Sequence, residues 1–338
     1  MSEGLLVRKH VKFLIRHLNV FPEQYSTLDT SRVTLLFFAV SALDLLGELN
    51  SLLTEDRRKS IIDWIYKLQV SSSGRFCGFR GCLDVAIGHT NAYITSNLAQ
   101  TYSALLCLTI LGDDLKGVDR AAVLETVRKS QKDDGSFWSE GYGSESDMRF
   151  VYCAVAISHI LQDHSCIEWP LLKRFIRSSL NYDGGIGQGP GDESHGGSTF
   201  CAIASLSLAN RLWDGSVLSR RDIERLVKWA LWKQEEGFHG RAHKADDSCY
   251  AFWIGATLEI LDAHHLMDKE RLRSFLLIAQ DRNLGGFCKI PEESPDMLHT
   301  YFSIAAFSLL HEPGLSPINA SLNVSRHVYE HTRRLAEK

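Results

Sequence analysis

Residues 234–261, "QEEGFHGRAHKADDSCYAFWIGATLEIL", decide how this chain is organised. The segment opens on a glutamine and a glycine-rich turn. It passes through a polar stretch that crowds cations, acids and a thiol together, and it ends in an apolar run with almost no wet side. The same order recurs. "QVSSSGRFCGF" at 69, "QKDDGSF" at 131 and "QDRNLGGF" at 280 repeat the turn, and "NYDGGIGQG" at 181 is a version without the glutamine. The apolar runs that follow are "TYSALLCLTIL" at 101, "RFVYCAVAISHIL" at 149, "TFCAIASLSLANRL" at 199 and "TYFSIAAFSLL" at 300. Segments before the turns, such as "RRKSIIDWIYKL" at 57 and "RDIERLVKWALWK" at 221, mix polar and apolar residues at the spacing of a helix with one wet face.

A self-similar unit of roughly fifty residues signals a repeat array. Here the unit reads as outer helix, turn, inner helix. Strand-like alternation is scarce, so the fold class is all-α. Helix pairs either stack as an open solenoid, which needs polar end caps, or close into an α/α barrel. Inner helices this apolar predict closure. The inner-helix N-termini then meet around one mouth, where backbone donors and partial positive charge suit an anion. The expected organisation is a single domain over residues 1–338, with helices in about 1–50 and a tail in about 316–338 at its periphery.

Composition narrows the function. Hydrophobic residues make up 44% of the 338, enough for a large core. A formal net charge of -4 argues against general nucleic-acid binding and leaves only local phosphate recognition. No stretch approaches ~18 consecutive apolar residues, the length of a membrane span. The opening "MSEGLLVRKH" lacks the apolar core of a secretion signal. Eight cysteines are scattered without a CxxC pair, several inside apolar runs. That usage fits buried thiols in a reducing, cytoplasmic compartment, where the sequons at Asn319 and Asn323 carry no glycan.

Three groups of residues could carry chemistry. Asp247 and Cys249 stand just before an inner helix, and "SPDMLHTYF" puts His299 at the entrance of the next. Asp, Cys and His from adjacent entrances make a three-donor site of the catalytic zinc type, with one position open. Spacing alone favours a loop carboxylate, a buried thiol and a capping histidine, because D-x-C is a weak pattern. The second group is cationic. Arg241 and Lys244 precede the pair, Tyr250 follows it, His195 opens another inner helix, and Lys289 lies in "FCKIPEE". Near helix N-termini such donors suit a diphosphate, although a solvated basic loop has the same composition. The third group is aromatic. Rings in "TLLFFAV", "MRFVY", "YAFW" and "TYF" lie at or near inner-helix entrances. They either pack the core or line a cavity for a long hydrocarbon.

Long phrases then carry a resemblance. "LDTSRVTLLFFAVSALDLL", "WIYKLQ", "CGFRG", "ILGDDL", "DGSF", "GSESDMRFVYCA", "ESHGGSTFCAIASL", "FHGRAHKADDSCYAFWIGATL", "QDRNLGGF" and "PDMLHTYFSIAAFSLL" run in order from about residue 28 to 310. In them the chain resembles the protein prenyltransferase β subunits, and among these the type I geranylgeranyltransferase branch. The resemblance implies an α/α barrel of six inner and six outer helices. It implies one zinc ion held by Asp247, Cys249 and His299, and a diphosphate pocket of His195, Arg241, Lys244, Tyr250 and Lys289. It implies lipid-length and peptide-pocket roles for Thr34, Phe38, Asn97, Glu145, Arg149, Phe150, Leu298 and Phe302. It also implies an obligate helical-repeat α subunit shared with farnesyltransferase, geranylgeranyl diphosphate as donor, and CaaX-ending small GTPases and similar proteins as acceptors.

Three positions bear on the lipid. Farnesyltransferases carry at the position of Thr34 a tryptophan that blocks the end of the cavity, and at the position of Phe302 they tend to carry tyrosine. Lys289 stands where they have an aspartate that helps hold magnesium, so magnesium is expected to be unnecessary here. Asn97 departs from the family's usual histidine near the substrate's last residue, and the loop after "CGFRG" looks shorter. The competing expectations are a farnesyltransferase or Rab-type β subunit, a non-catalytic helical scaffold, and a terpene cyclase, for which no DxDD-like string is present.

Overall fold

The computed structural model describes residues 4–70, 76–83 and 95–335. The loop after "CGFRG" and part of the first glycine-rich turn lie outside the described residues. The chain forms six outer–inner helix pairs. These are α1 (Val7–Asn19) with α2 (Arg32–Leu45), α4 (Glu55–Lys67) with α5 (Leu98–Ile110), α6 (Arg120–Ser130) with α7 (Met148–Ile160), α8 (Trp169–Ser178) with α9 (Gly196–Leu208), α10 (Arg220–Leu231) with α11 (Tyr250–Ile260), and α12 (Lys269–Ala279) with α13 (Met297–Leu309). A single turn, α3 (Leu49–Leu52), and a final helix, α14 (Arg326–Arg334), complete the α-helices among the described residues. Each inner helix packs on the next, and α13 packs back on α2, so the ring closes.

Local chemistry explains the pairs. The runs of α5, α7, α9 and α13 are buried along almost their whole length, as helices with neighbours on every side must be. Outer helices bury one stripe. In α10 the buried set is Asp222, Ile223, Leu226, Trp229 and Ala230, and a capping box of Ser219 and Asp222 starts the helix. Between outer and inner helix the glycine-rich turn closes with a short antiparallel pairing, Gln69 to Phe79, Gln131 to Phe137, Leu180 to Ile186, Gln234 to Phe238 and Gln280 to Phe287.

The recurring glutamine ties one repeat to the next. Gln131 donates to the carbonyl of Glu168 (3.1 Å) and accepts from its N–H (2.7 Å). Gln234 does the same to Asp268 (2.7 and 3.0 Å). Gln69 bonds Gly117 and Asp119 (3.0 and 2.9 Å). In each case the partners lie at the start of the following outer helix, whose orphan backbone groups need such bonds. The repeat that has Leu180 in place of glutamine uses another link, an ion pair at 2.5 Å between Arg177 and Asp222.

Gln280 closes the circle by accepting from the N–H of Leu6 (3.1 Å), at the head of α1. His10 stands beside it. Its Nδ1 accepts from Gly286 (2.9 Å), its Nε2 bonds Gln280 (3.2 Å), and its ring stacks on Phe287. Gly285, at φ +76°, brings its backbone so close to Lys9 that a Cβ would sit 2.1 Å from the carbonyl oxygen. The expectation of peripheral helices in about 1–50 is therefore corrected. α2 is an inner helix, and α1 seals the outer ring, because six pairs cannot close without them.

The tail is corrected too. Ile318–Asn319 and Val324–Ser325 form a hairpin whose tip enters the barrel. Tyr152 donates to Ser321 (3.0 Å), Tyr102 to Leu322 (3.3 Å) and Tyr301 to Asn323 (2.7 Å). Leu322 and Val324 are wholly buried. Ser321 also meets Ser207 in the last turn of α9, which sets the hairpin at the end of the barrel opposite the inner-helix N-termini. No described helix is long and apolar enough to cross a membrane.

Replacing Gln280 with leucine strands the Leu6 N–H and the His10 Nε2. It is expected to cost about 1–3 kcal/mol, read as a lower denaturant midpoint, and an unchanged midpoint contradicts the closure role. Burial pushes His10 down to about 4 from an ordinary 6.5. Below pH 6.5 the unfolded chain takes up a proton that folded His10 refuses. Its contribution is therefore complete above pH 6.5 and is lost as pH falls toward 4, on the order of 3 kcal/mol. His159 and His264, also pushed down to about 4 by burial, add to the same slope. Denaturation curves between pH 7 and 4 check it.

Candidate active site

At five of the six inner helices a polar side chain accepts from a backbone N–H at or just before the first turn, and these residues build the site. At α11 the carboxylate of Asp247 accepts from the N–H of Cys249 (2.9 Å), which turns both side chains to one side. Ser248 between them is pinned to the next repeat through Lys289 and Cys288 (2.9 and 2.7 Å). At α13, Asp296 caps the helix by accepting from the N–H of His299 (2.9 Å), and its second oxygen holds His299 Nδ1 at 2.5 Å. Nε2 of His299 is left facing Asp247 Oδ1 at 3.3 Å. The ligand atoms of Asp247, Cys249 and His299 all lie within 4.8 Å of one another.

Electrostatics follow from that packing. Burial, reinforced by the charge of Asp247, pushes the Cys249 thiol well above its ordinary range. Burial also opposes charge on Asp247, but hydrogen bonds from His299 and Cys249 outweigh it and hold the carboxyl below its usual value. His299 is pushed down by burial and up by the two carboxylates, which win and bring it to about 9. A buried thiol, carboxylate and imidazole in mutual contact form a donor set that suits zinc. Three protein donors leave a further position open, and a carboxylate on the distal imidazole nitrogen is the usual orienting partner of a metal-bound histidine. The residues fit the ion.

Beside this cluster lies a cavity of about 310 Å³ lined by Arg241, Lys244, Tyr250 and Lys289, with Asp247 on its wall. Among the described residues, Lys244 and Lys289 have no ion-pair partner. Arg241 pairs with Glu193 at 3.0 Å. The ring of Tyr250 packs over two glycines, Gly196 and Gly240, and a Cβ on Gly240 would lie 1.9 Å from it. Tyr250 Oη meets His195 Nε2 at 3.0 Å. His195 caps α9, its Nδ1 accepting from Gly197 and Ser198 (3.1 and 3.2 Å). The imidazole proton therefore sits on Nε2. Burial first, and the nearby Arg241 charge second, lower its pKa. The mouth thus presents cations and neutral donors to one point, an arrangement for an anion that is large or multiply charged.

Aromatic rings run from helix to helix around the interior. Phe37 and Phe38 touch Tyr301, Phe302 meets Trp253 at 4.1 Å, and the contacts continue through Phe200, Tyr152 and Tyr102 back to Phe37. All six inner helices contribute. Phe302 belongs to this belt. Thr34 lies one turn before Phe38 and hydrogen-bonds Gln100 and Ser103 (both 3.0 Å). Thr34, Phe38, Leu298 and His299 share a groove of about 810 Å³. Asn97, Glu145, Arg149 and Phe150 gather around a separate cavity of about 520 Å³ at the entrances of α5 and α7. Asn97 caps α5 and donates to Glu140 (3.0 Å), while Arg149 is held by Asp147 and Glu145 (2.6 and 2.9 Å).

Asp296, Glu193 and Gln100 went unread in the sequence. Asp296 had a local signal, the D-x-x-H spacing of a cap that reaches a first-turn histidine. Glu193 and Gln100 had none, since each acts on a residue of another repeat.

The chain matches the family described as "Prenyltransferase alpha-alpha toroid domain" over residues 5–324. It is 38% identical to the geranylgeranyl transferase type-1 subunit beta of Dictyostelium discoideum, covering 96% of this chain and 97% of that one. It is also 38% identical to the Arabidopsis thaliana protein of the same name, covering 94% and 88%. The solved structure of Candida albicans protein geranylgeranyltransferase-I complexed with GGPP superposes with a TM-score of 0.89 at 25% identity, covering 98% of this chain and 99% of that one.

Nitrogen NMR on His195 is expected to report a neutral ring protonated on Nε2, titrating below 6.5. A ring that titrates at or above 6.5 contradicts the capping geometry.

Proposed function

The chain belongs to the prenyltransferase α/α-toroid family, in its type I geranylgeranyltransferase β-subunit branch, and from that premise we propose how its own residues carry the reaction. It is the catalytic β subunit of an enzyme that moves a geranylgeranyl group from geranylgeranyl diphosphate to the cysteine of a protein ending in a CaaX box, X being mainly leucine or phenylalanine. One observation carries the assignment of residues: the acid–thiol–imidazole cluster shares Asp247 with a cavity lined by three cations.

Asp247, Cys249 and His299 would hold one zinc ion. When bound, zinc would supply a Lewis acid that lowers the pKa of the substrate thiol toward neutrality. Cys249 is then a ligand, and the reacting thiol is the substrate's. Arg241, Lys244 and Lys289, with Tyr250 Oη and the Nε2–H of His195, take the diphosphate. The sulfur forms a bond to C1 of the lipid as the C1–O bond breaks, and that electron pair leaves with the diphosphate. These donors face the charge that grows on the leaving group. Glu193 holds Arg241 at rest, so the diphosphate exchanges with a carboxylate. Lys289 supplies fixed positive charge where farnesyltransferases rely on magnesium, and magnesium is therefore not required.

The aromatic belt would border the lipid, and Thr34, smaller than the tryptophan of farnesyltransferases, leaves room for a further isoprene unit. Asn97, Glu145, Arg149, Phe150 and Leu298 would border the protein substrate. The chain would act with an obligate α subunit shared with farnesyltransferase. A cytoplasmic setting is supported by the burial of the chain's cysteines, which suits a reducing compartment.

The test is co-expression with an α subunit and transfer of labelled farnesyl and geranylgeranyl groups to CaaL and CaaM peptides, with and without magnesium. Geranylgeranyl transfer to CaaL that persists in a magnesium chelator selective over zinc is expected. Farnesyl transfer to CaaM that demands magnesium would place the chain among the farnesyltransferases instead.

A further inference from the structure

The two cations that precede the acid–thiol–imidazole cluster, Arg241 and Lys244, ride on a loop with little support of its own. Residues 241–245 are all exposed, and among the described residues their backbone makes no hydrogen bond to the rest of the protein. Between the two cations His243 sits at φ +57°, a sparsely populated conformation for a residue that carries a Cβ. Arg241 reaches across to Glu193, but both side chains are exposed. On the entering side the chain is anchored where the Gly240 carbonyl accepts from Gly196 (2.9 Å).

On the returning side the anchor is Asp246. Its Oδ2 accepts from the N–H groups of Glu236 and Gly237 (3.0 and 2.7 Å), both in the glycine-rich turn from which the loop departs. Its Oδ1 faces His239 Nδ1 at 3.7 Å, and both side chains are only 11% exposed. Those two facing atoms are shielded from solvent and have no hydrogen-bond partner among the described residues. Alongside them the N–H of His239 donates to Lys233 (3.0 Å) and that of Asp247 to Phe238 (3.1 Å). The outgoing and returning legs thus meet at one carboxylate, which forms the neck of the loop.

The place of that carboxylate runs against simple electrostatics. Asp246 lines the cavity of about 310 Å³ that gathers Arg241, Lys244 and Lys289. Negative charge on such a wall opposes an anionic ligand. Yet Oδ1 is turned away from solvent and Oδ2 is engaged by two backbone donors, so the group serves the loop and not the ligand.

We propose that Asp246 is a positioning residue: by closing the neck of the loop, with His239 packed against it, it holds Arg241 and Lys244 where the diphosphate binds. This rests on the function proposed above, in which that cavity takes the diphosphate. Cations already set in place lose less freedom on binding than cations on an open loop, and they need no rearrangement as charge grows on the leaving group.

The test uses the assembled two-subunit enzyme, with inorganic diphosphate and geranylgeranyl diphosphate as ligands. If Asp246 acted through its charge alone, Asp246→Ala would bind both more tightly. As the loss of a positioning residue, Asp246→Ala is expected to bind both about tenfold more weakly, with zinc content unchanged and KM for a peptide ending Cys-Ala-Ala-Leu within about twofold. Asp246→Asn keeps an oxygen that accepts from the two N–H groups and removes the charge, so it is expected to bind both at least as tightly as the unaltered enzyme. Unchanged or tighter binding by Asp246→Ala, weaker binding that comes only with loss of zinc, or the same weakening in Asp246→Asn overturns the proposal and leaves the transferase function intact. An unaltered enzyme that binds neither ligand overturns that function, and the role of Asp246 with it.

Discussion

Closure of the ring is the constraint on which the rest of this structure depends. The inner helices have no wet face, so each must find apolar neighbours on both flanks, and only a circle provides them for all six. The glutamine amides hold the circle's outer layer in step, each tying a turn to the head of the next outer helix. Arg177 with Asp222 serves where the glutamine is missing, and Gln280 with His10 joins the last repeat to the first. Once the circle is closed, the inner N-termini converge, and Asp247 and His299, from neighbouring helices, come into contact.

Helix capping then organises the mouth. The orphan N–H groups of α5, α7, α9 and α13 are met by Asn97, Asp147, His195 and Asp296, and Asp247 accepts from the N–H of Cys249 just before α11. Each cap also leaves a second group in a defined state. Asp147 clamps Arg149. His195 spends Nδ1 on the helix and presents Nε2–H to Tyr250. Asp296 fixes His299 so that Nε2 faces Asp247. Backbone satisfaction and site geometry are thus imposed by the same atoms.

Much of this was legible in the sequence because it is periodic. The Gln–Gly turns and apolar runs foretold helix pairs and a closed ring, and the residues at helix entrances foretold the acid–thiol–imidazole and cationic groups. What stayed hidden is what crosses between repeats. Arg32–Leu45 carries the apolar run of an inner helix, but the segment before it bears no glutamine-led turn, and its partners α5 and α13 lie far along the chain. The hairpin tip at Ser321–Asn323 reads as an ordinary polar turn, because its buried partners are the hydroxyls of Tyr102, Tyr152 and Tyr301. Glu193 is invisible for the same reason.

The hairpin that plugs the barrel has a consequence for how the chain is made. It lies near residue 320, and α13 reaches α2 across more than two-thirds of the sequence. While α2 through α11 emerge from the ribosome, the nascent protein is an open crescent with an apolar flank exposed at each end, and the interior hydroxyls of Tyr102 and Tyr152 await carbonyls not yet synthesised. Contacts this distant in sequence form late and slowly. Such a chain passes through a sticky, incomplete intermediate that favours protection by chaperones until its final segments arrive.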